Sequence, residues 1–505
     1  MSNEERLAEL RERLGVIHDL RRAAELLGWD QHTMMPPAAT PSRGDQLSTI
    51  DRFAHDLFVS DELGELLESL ADYERELDPE SIDAALIRVT RRDWEKAKKV
   101  PGELQAEMTR AAVLGVPAWA EARKNADYQA FLPFLRQNVE LKRQYIECYS
   151  DSGKSAYDIL LDEYQEDARS EDITAVFARL KEELIPLIRE VAAAEQVDTS
   201  FAHGHFPVEK QELFGREILE RLGYTSEAWR LDPTVHPFAS SIGLDDIRLT
   251  TRYSEADTES IFHTTHEFGH GIYEYGLDRA LDRTPLTELN SMVLHESQSR
   301  LWENLVCRSR PFWQYFFPKL QDVFPEQLGD VEVEAWWRAV NKIEPSYIRV
   351  EADEVTYGMH IILRYELEQD IIEGRLALED IPEAWSAKMK EYLGVDVPDD
   401  AMGVLQDVHW SGGSFGYFPT YLLGTIASVQ IWETARGDLS DLDAQMEAGE
   451  FGPLREWLGD KLYRWGRRFP PDEMLRRIVG GPLDAEPYLA YLKGKVAEIY
   501  GVRVS

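Results

Sequence analysis

Residues 263–270 constrain this chain more than any other segment, because they contain the pattern H-E-x-x-H at His266, Glu267 and His270. Two histidines four residues apart lie on one face of an α-helix, about one turn from each other. Both imidazoles can therefore reach the same metal ion. The glutamate lies beside that face, where it can accept a proton from a water molecule. The pattern predicts a helix that carries two ligands of a zinc-peptidase type of metal centre.

The residues around the pattern favour a metal centre over the alternative, a surface helix with two ordinary histidines. Residues 260–262 and 271–275 mix apolar and helix-compatible side chains, as in a mostly buried helix. A catalytic metal also needs a third protein ligand and an open position. A second helical segment, residues 294–304, follows. Its separation from His270 is enough for the chain to leave the first helix, turn and return to the site on another helix.

On the residue pattern alone, two candidates for the third ligand remain open in this second segment. Either His295 or Glu296 could complete the site. A carboxylate ligand from a following helix defines the glutamate-type zincins. An isolated glutamate, by contrast, is usually a solvated helix charge. The residues therefore predict a centre with three protein ligands and leave its third member undecided.

The composition predicts one large unit. The 505 residues are 43% hydrophobic and include 13 Trp, 21 Tyr and 19 Phe, so the chain can bury a large core. No Gly/Ser-rich linker and no internal repeat divides the sequence. We expect a single domain over residues 1–505, either undivided or in two lobes around a cleft.

The charge excludes some partners. The formal net charge is -38, with 15 Lys against 40 Arg. A surface this acidic repels nucleic acid and anionic membranes, so we expect neither as a partner. Excess acid with scarce lysine is also typical of proteins adapted to high cytoplasmic salt. The alternative is an ordinary acidic cytosolic protein.

The cysteines and apolar stretches predict a cytoplasmic protein. Cys148 and Cys307 are too few for a disulfide framework or a cysteine-based zinc site. The charged N-terminal residues do not form a signal peptide. The longest apolar stretch, residues 421–432, is shorter than the ~20 residues that a membrane span needs.

The hydrophobic periodicity predicts a mainly α-helical chain. Residues 4–28 form an amphipathic helix, and the helical period recurs from about residue 43 to residue 230. Residues 244–253 instead alternate apolar and polar side chains, which predicts a strand just before the H-E-x-x-H helix. An edge strand there could pair with an extended peptide. We expect breaks between helices at Pro79, Pro101, Pro117, Pro133, Gly153 and residues 204–207.

Several ordered motifs together resemble the M32 family of metallocarboxypeptidases, of the carboxypeptidase Taq type. The resemblance implies a large, helical, cleft-containing, gluzincin-like fold with a small β-sheet next to the H-E-x-x-H helix. It also implies a homodimer. The motifs that carry it are Trp29-Asp30-Gln31 with Met35-Pro36, His236-Pro-Phe238, Asp246-Ile-Arg248-Leu-Thr-Thr-Arg-Tyr253, His266-Glu-Phe-Gly-His270, His295-Glu-Ser-Gln-Ser-Arg-Leu-Trp-Glu-Asn304, Ile348-Arg-Val-Glu-Ala-Asp353 and Gly403-Val-Leu-Gln-Asp-Val-His-Trp410.

The resemblance assigns Glu296, rather than His295, as the third ligand of one Zn²⁺ per chain, with Co²⁺ as the alternative. His295 then packs or hydrogen-bonds near the site. We expect His263, one turn before His266, to lie outside the ligand set, because three protein ligands leave the open position that catalysis needs. Glu267 is the expected general base.

The resemblance also suggests the groups that bind the substrate. His409 and Tyr421 are spaced like the histidine–tyrosine pair that stabilises the oxyanion in thimet-type oligopeptidases, and we prefer Tyr421 to Tyr417 on that likeness. Arg349 stands in the family motif for binding a C-terminal carboxylate. Its alternative role is a structural salt bridge to Asp353 or Glu354. A further candidate is His236, which either lines the pocket for the terminal residue or packs in the core.

These observations predict a metallocarboxypeptidase that removes single residues from the C-termini of peptides. One alternative is a metal-dependent oligopeptidase that cuts internal bonds of short peptides with the same metal site. Another is a non-catalytic, metal-dependent peptide-binding protein, and the intact Glu267 argues against it.

Overall fold

The computed structural model describes residues 1–289 and 291–502, and helices make up most of them. The first half of the chain is a succession of helices joined by short connections, as the periodicity predicts. Their bounds are α1 (Asn3–Thr33), α2 (Thr40–Phe58), α3 (Asp61–Ser69), α4 (Ala71–Glu76), α5 (Ile82–Lys99), α6 (Gly102–Lys124), α7 (Tyr128–Glu147), α8 (Ala156–Leu161), α9 (Ser170–Ala193) and α10 (Val208–Leu222).

Two of the predicted helix breaks are wrong. Pro117 lies inside α6 and Pro133 lies inside α7, where each ring removes one backbone hydrogen bond. Packing between α6 and α7 compensates for this cost and keeps both helices continuous. Helix α1 also extends past its predicted end at residue 28, so that Trp29 is a buried residue within the helix.

A three-stranded sheet interrupts the helices where the sequence predicts a strand. Its strands are β1 (Trp229–Pro233), β2 (Ala239–Gly243) and β3 (Asp246–Thr251), in the order β1-β3-β2. Strand β3 runs parallel to β1 and antiparallel to β2. The predicted strand is therefore the central one, and the expectation of an edge strand is wrong. The sequences of β1 and β2 are too short and irregular to show a period of two.

The second half of the chain returns to helices. Helix α12 runs directly into a π-helical segment, Leu301–Cys307. The bounds are α11 (Ser260–Tyr275), α12 (Met292–Arg300), α13 (Arg310–Val323), α14 (Pro325–Leu328), α15 (Val333–Val340), α16 (Tyr357–Ile372), α17 (Ile381–Leu393), α18 (Phe418–Asp438), α19 (Leu442–Glu447), α20 (Gly452–Lys461), α21 (Pro471–Val479) and α22 (Glu486–Tyr500).

Buried apolar side chains form two clusters. The larger joins the sheet to the helices from α6 onward, and the smaller lies mainly between α1, α2, α3 and α5. At the centre of the larger cluster, α12 lies between α11 and α18. Among residues 1–289 and 291–502, no helix is both long and apolar enough to cross a lipid bilayer.

Candidate active site

Helix α12 contacts its two neighbours through their glycines. A Cβ atom built on Gly269 of α11 would overlap the backbone of Gln298 and Ser299 on α12. On the other side, a Cβ on Gly424 of α18 would lie 2.8 Å from the Cβ of Glu296. A Cβ atom at either position would lie closer to its neighbour than real Cβ atoms do, so each position needs a residue without a side chain. These two contacts set how far Glu296 lies from the H-E-x-x-H helix and from α18.

His266, His270 and Glu296 meet in one place, as predicted. The Nε2 atoms of His266 and His270 lie 3.7 Å and 3.5 Å from Oε2 of Glu296, and the three ligand atoms lie within 4.8 Å of one another. A tetrahedral ion about 2.1 Å from its ligands would place those ligands about 3.4 Å apart. The donor atoms and their spacing therefore fit a single divalent metal ion. His263 is not part of this group.

Two of the three ligands are oriented by outer partners. Nδ1 of His266 lies 2.8 Å from Oε2 of Glu303, which leaves Nε2 directed at the other ligands. Arg300 donates from Nε to Oε1 of Glu296 at 2.8 Å, and the Ser299 hydroxyl donates to Oε2 at 3.0 Å. Glu303 was not among the predicted site residues, although its place seven residues after Glu296, two helical turns away, indicates a second carboxylate on that face.

His270, the remaining proposed ligand, is held by packing. Its ring stacks on His295, with centroids 4.2 Å apart and planes 14° apart. Nε2 of His295 lies 3.2 Å from Oε1 of Glu274. Burial, followed by the electrostatic interaction with His295, lowers the pKa of His270 to about 3, so this imidazole is neutral and can bind a cation. His295 thus lies beside the ligands and not among them.

Burial and the neighbouring charges shift the pKa values of Glu267 and Glu296 in opposite directions. Burial raises the pKa of Glu267 to about 7, and the negative charges of Glu296 and Glu303 add to that rise. For Glu296, burial alone would raise the pKa, but Arg300 and the two imidazoles hold the pKa well below its usual range. Glu296 is therefore a permanent anion suited to a metal ligand. Glu267 can gain and lose a proton near neutral pH, as a general base must.

Tyr421 of α18 lies where the charge of Glu296 acts on it, and His409 of the loop before α18 lies beside Tyr421. Nε2 of His409 lies 3.2 Å from the hydroxyl of Tyr421. The ring of Tyr417 lies edge-on to that of Tyr421 at 5.1 Å. Burial raises the pKa of both tyrosines, that of Tyr417 to about 12, so both hydroxyls keep their protons. Either tyrosine can act as a hydrogen-bond donor.

Arg349 is buried beside Tyr421, and its partner differs from both predicted ones. Its Nε and Nη2 atoms donate to Oδ1 of Asp407 at 3.0 Å and 2.8 Å, and Nη1 donates to the hydroxyl of Tyr357 at 3.1 Å. Arg364 donates to the other oxygen of Asp407 at 2.6 Å. The Asp407 carboxylate therefore binds two guanidinium groups, and neither Asp407 nor Arg364 was among the predicted site residues.

The two carboxylates named as alternative partners of Arg349 are engaged elsewhere. Asp353 accepts hydrogen bonds from the backbone and hydroxyl of Thr356, and Glu354 pairs with Lys495 at 2.6 Å. The prediction of a salt bridge from Arg349 to either residue is therefore wrong.

The other predicted binding residue lies at the surface. His236 is exposed, on the connection between β1 and β2. Partial desolvation lowers the pKa of His236, and the positive charges of Arg252 and Arg123 lower it further. This histidine is not a packed core residue, so that alternative is wrong.

A cleft of about 740 Å³ lies among the N-terminal helices. It extends between α2, α5, α6 and α7, and Ser414 of the loop after His409 reaches its wall. Tyr164, which also lines the cleft, contacts the ring of Tyr417 at 5.0 Å. The cleft is large enough to hold a short peptide, and Tyr164 connects its wall to the tyrosines of the site.

The fold and the cluster of His266, His270 and Glu296 are compatible with a metallopeptidase of the H-E-x-x-H type. The model of the carboxypeptidase Taq (M32) metallopeptidase family matches residues 9–496. Thermostable carboxypeptidase 1 of Thermus thermophilus is 42% identical over 486 residues, which cover 94% of this chain and 95% of that protein. Carboxypeptidase 1 of Bacillus subtilis is 38% identical over 480 residues, which cover 95% of both proteins.

A solved structure agrees with these sequence matches. The M32 carboxypeptidase of Deinococcus radiodurans superposes with a TM-score of 0.95 at 39% identity, covering 99% of this chain and 100% of that one. The chain therefore belongs to the M32 family of metallocarboxypeptidases. It is a metal-dependent carboxypeptidase, which confirms the predicted fold and activity. The oligopeptidase alternative finds no support in these comparisons.

Proposed function

We propose that His266, His270 and Glu296 hold one Zn²⁺ ion per chain, with Co²⁺ as the alternative. The observation that carries the proposal is the convergence of their three ligand atoms within 4.8 Å. Two imidazole nitrogens and one carboxylate oxygen are a preferred donor set for zinc, and three protein ligands leave a position open. When bound, the ion would supply a Lewis acid that polarises the scissile carbonyl group of the peptide.

Glu267 is the proposed general base. Its carboxylate would accept a proton from the attacking water and pass it to the leaving amine. The pKa of about 7, raised by burial, supports this assignment because the carboxyl group can both take and release a proton at neutral pH. Efficient acid–base catalysis needs such a match between the pKa and the working pH.

Tyr421 is the proposed donor to the oxyanion that forms when water attacks the carbonyl group. Its protonated hydroxyl is partly buried near Glu296, with His409 at 3.2 Å. A donor fixed in advance in a dry site stabilises developing charge without reorganising at the moment of reaction. His409 orients the hydroxyl of Tyr421.

Arg349 is the proposed anchor for the C-terminal carboxylate of the substrate. A guanidinium has five N–H donors, and three of those on Arg349 are used by Asp407 and Tyr357, which leaves two. Asp407 is also shared with Arg364, so one carboxylate faces two cations. A substrate carboxylate would supply the missing negative charge. For His236 we propose contact with the terminal side chain.

The experiment that tests the activity is mass analysis of the products of a peptide ladder incubated with the purified, metal-loaded protein. We expect successive loss of single C-terminal residues, and no loss from the same peptides with amidated C-termini. Equal cleavage of both sets would contradict the proposed anchor, because an amide carries no charge for Arg349. Metal analysis of the same sample tests for one zinc or cobalt ion per chain.

The remaining predictions rest on the resemblance and the composition alone. They are a homodimer, a cytoplasmic location, no nucleic-acid partner, a single domain in one or two lobes, and adaptation to salt.

A further inference from the structure

Helix α16 carries a row of fully buried polar side chains that the proposed mechanism does not use. His360, Arg364 and Glu368 follow each other at intervals of four residues, and each is 0% exposed. Four-residue spacing places them on one face of the helix. Arginine and glutamate are rarely buried unless they are paired, so the partners of this row indicate its purpose.

Two of these side chains hold the segment that contains His409. Arg364 donates to Asp407, two residues before His409. The Oε1 atom of Glu368 accepts a hydrogen bond of 2.7 Å from Nε1 of Trp410, the residue after His409. Its Oε2 atom accepts a bond of 2.9 Å from the backbone N–H of Gly416. Glu368 therefore ties together the two ends of the turn between His409 and α18.

This turn needs such support because of its sequence. Gly412 and Gly413 lie within it, and Gly416 ends it with a backbone φ of +87°, a conformation that favours glycine. Glycines leave a loop more conformational freedom than other residues. Yet the two sides of the turn must place His409 and Tyr421 within 3.2 Å of each other.

Glu368 is also well suited to accept hydrogen bonds. A third donor, the hydroxyl of Tyr157, lies 2.7 Å from Oε2. Burial raises the pKa of Glu368 to about 7, while the donors oppose that rise by favouring the carboxylate. A buried carboxylate with three donors is a rigid connection, since releasing any one of them leaves a buried polar group unpaired.

We propose that Glu368 is a positioning residue for the carboxypeptidase reaction. Its carboxylate fixes the turn at Trp410 and Gly416, so that His409 and Tyr421 are presented to the scissile carbonyl group in one geometry. This inference rests on the oxyanion role proposed above for Tyr421. Glu368 touches neither the ligands nor the substrate and acts only through the turn.

The test is the Glu368→Gln variant. A glutamine keeps one acceptor oxygen and places an NH₂ group against either the Trp410 or the Gly416 donor, so one of the two connections is lost. We expect kcat to fall roughly 10- to 100-fold, since a misplacement of about 1 Å can cost 10²-fold. KM should stay within about twofold and metal content should not change, because the ligands are untouched.

The matched control is Glu366→Gln on the same helix. Glu366 bonds to Lys181, Lys388 and Tyr392 and not to the turn. The control loses a partly buried, hydrogen-bonded carboxylate of α16 and should keep its kcat. A second probe, Trp410→Phe, keeps an aromatic ring and removes the N–H that binds Glu368. It should reproduce most of the loss in kcat.

A double-mutant cycle separates positioning from general destabilisation. In a Tyr421→Phe background, Glu368→Gln should lower kcat by less than about threefold, because the group through which it acts is already gone. A Glu368→Gln variant with full kcat would overturn the inference. The inference would also be overturned if Glu368→Gln lowered kcat as much in the Tyr421→Phe background as it does in the wild type.

The design also distinguishes this inference from the proposal on which it rests. Full activity of Tyr421→Phe alone would contradict the oxyanion role of Tyr421, and full activity of Glu368→Gln would contradict the positioning role of Glu368. Circular dichroism melts check that each variant folds. If Glu368→Gln does not fold, Trp410→Phe decides, and full kcat in that variant overturns the inference.

Discussion

The two walls of the site are built in different ways. On the wall formed by α11 and α12, the proposed ligands His266, His270 and Glu296 come from two helices, and the partners Arg300 and Glu303 follow Glu296 within seven residues. The second wall is assembled from distant parts of the chain: Arg349, the segment around Asp407 and His409, and Tyr421 on α18. The first wall depends on helical spacing, whereas the second depends on tertiary hydrogen bonds. We therefore expect substitutions of the proposed ligands in the first wall to abolish metal binding, and substitutions in the second wall to lower rates in graded steps.

The largest effect should come from the first wall. His270→Ala removes one of three ligands, so we expect loss of the metal and of all measurable carboxypeptidase activity. Elemental analysis and a peptide hydrolysis assay check this result. His263→Ala, one turn earlier on the same helix, is the matched control and should keep its metal. Full metal content in His270→Ala would contradict the ligand assignment.

Glu267→Gln should separate metal binding from catalysis within the same wall. The amide cannot accept the proton of the attacking water, so kcat should fall on the order of the 10²–10⁴-fold that general acid–base catalysis supplies. Metal content should not change. Near-normal turnover with the metal bound would remove Glu267 from the mechanism.

Tyr421→Phe tests the second wall. Loss of one oxyanion donor should lower kcat on the order of 10²–10³-fold with little change in KM, because this hydrogen bond forms mainly in the transition state. Tyr417→Phe is the matched control and should lose much less. If Tyr421→Phe is as active as the parent, Tyr417 or His409 becomes the candidate donor.

Arg349→Ala should give a smaller effect in the second wall. Losing a charge-assisted pair in a closed site costs about 2–5 kcal/mol, so kcat/KM on free-acid peptides should fall roughly 30-fold or more. The preference for free-acid over amidated peptides should narrow, while the metal stays in place. Arg349→Lys keeps the charge but not the planar fork, so its kcat/KM on free-acid peptides should lie between those of the wild type and of Arg349→Ala. An Arg349→Ala variant with its full preference for free acids would show that the anchor lies elsewhere.

The smallest expected effect is that of salt on thermal stability. It acts on the charge of the whole surface and should affect both walls of the site equally. Self-repulsion at a net charge of -38 is screened as the Debye length falls from ~10 Å at 0.1 M salt to ~3 Å at 1 M. We expect a higher Tm in molar sodium or potassium chloride than at low ionic strength. A Tm that stays flat or falls would count against salt adaptation.

The same contrast explains what the sequence could predict. The spacing of His266 and His270 defines a helix face without any tertiary information, and Glu296 followed from motif resemblance. Asp407 as the partner of Arg349 could not be predicted, because 58 residues separate them and only the packed chain brings them together. For the same reason, periodicity predicted the long helices but not that β3 would be the central strand, which depends on neighbours that show no clear alternation.

The glycine contacts on either side of α12 have a consequence for engineering this enzyme. Glu296 lies on a helix that meets the backbone of α11 at Gly269 and that packs against Gly424 of α18. The spacing of α12 from its two neighbours therefore depends on two residues without side chains. A directed-evolution library that varies only the ligands would sample new donor atoms at one fixed spacing. A library intended to accept a larger ion should instead begin at Gly269 and Gly424, where one added methyl group would move a whole helix.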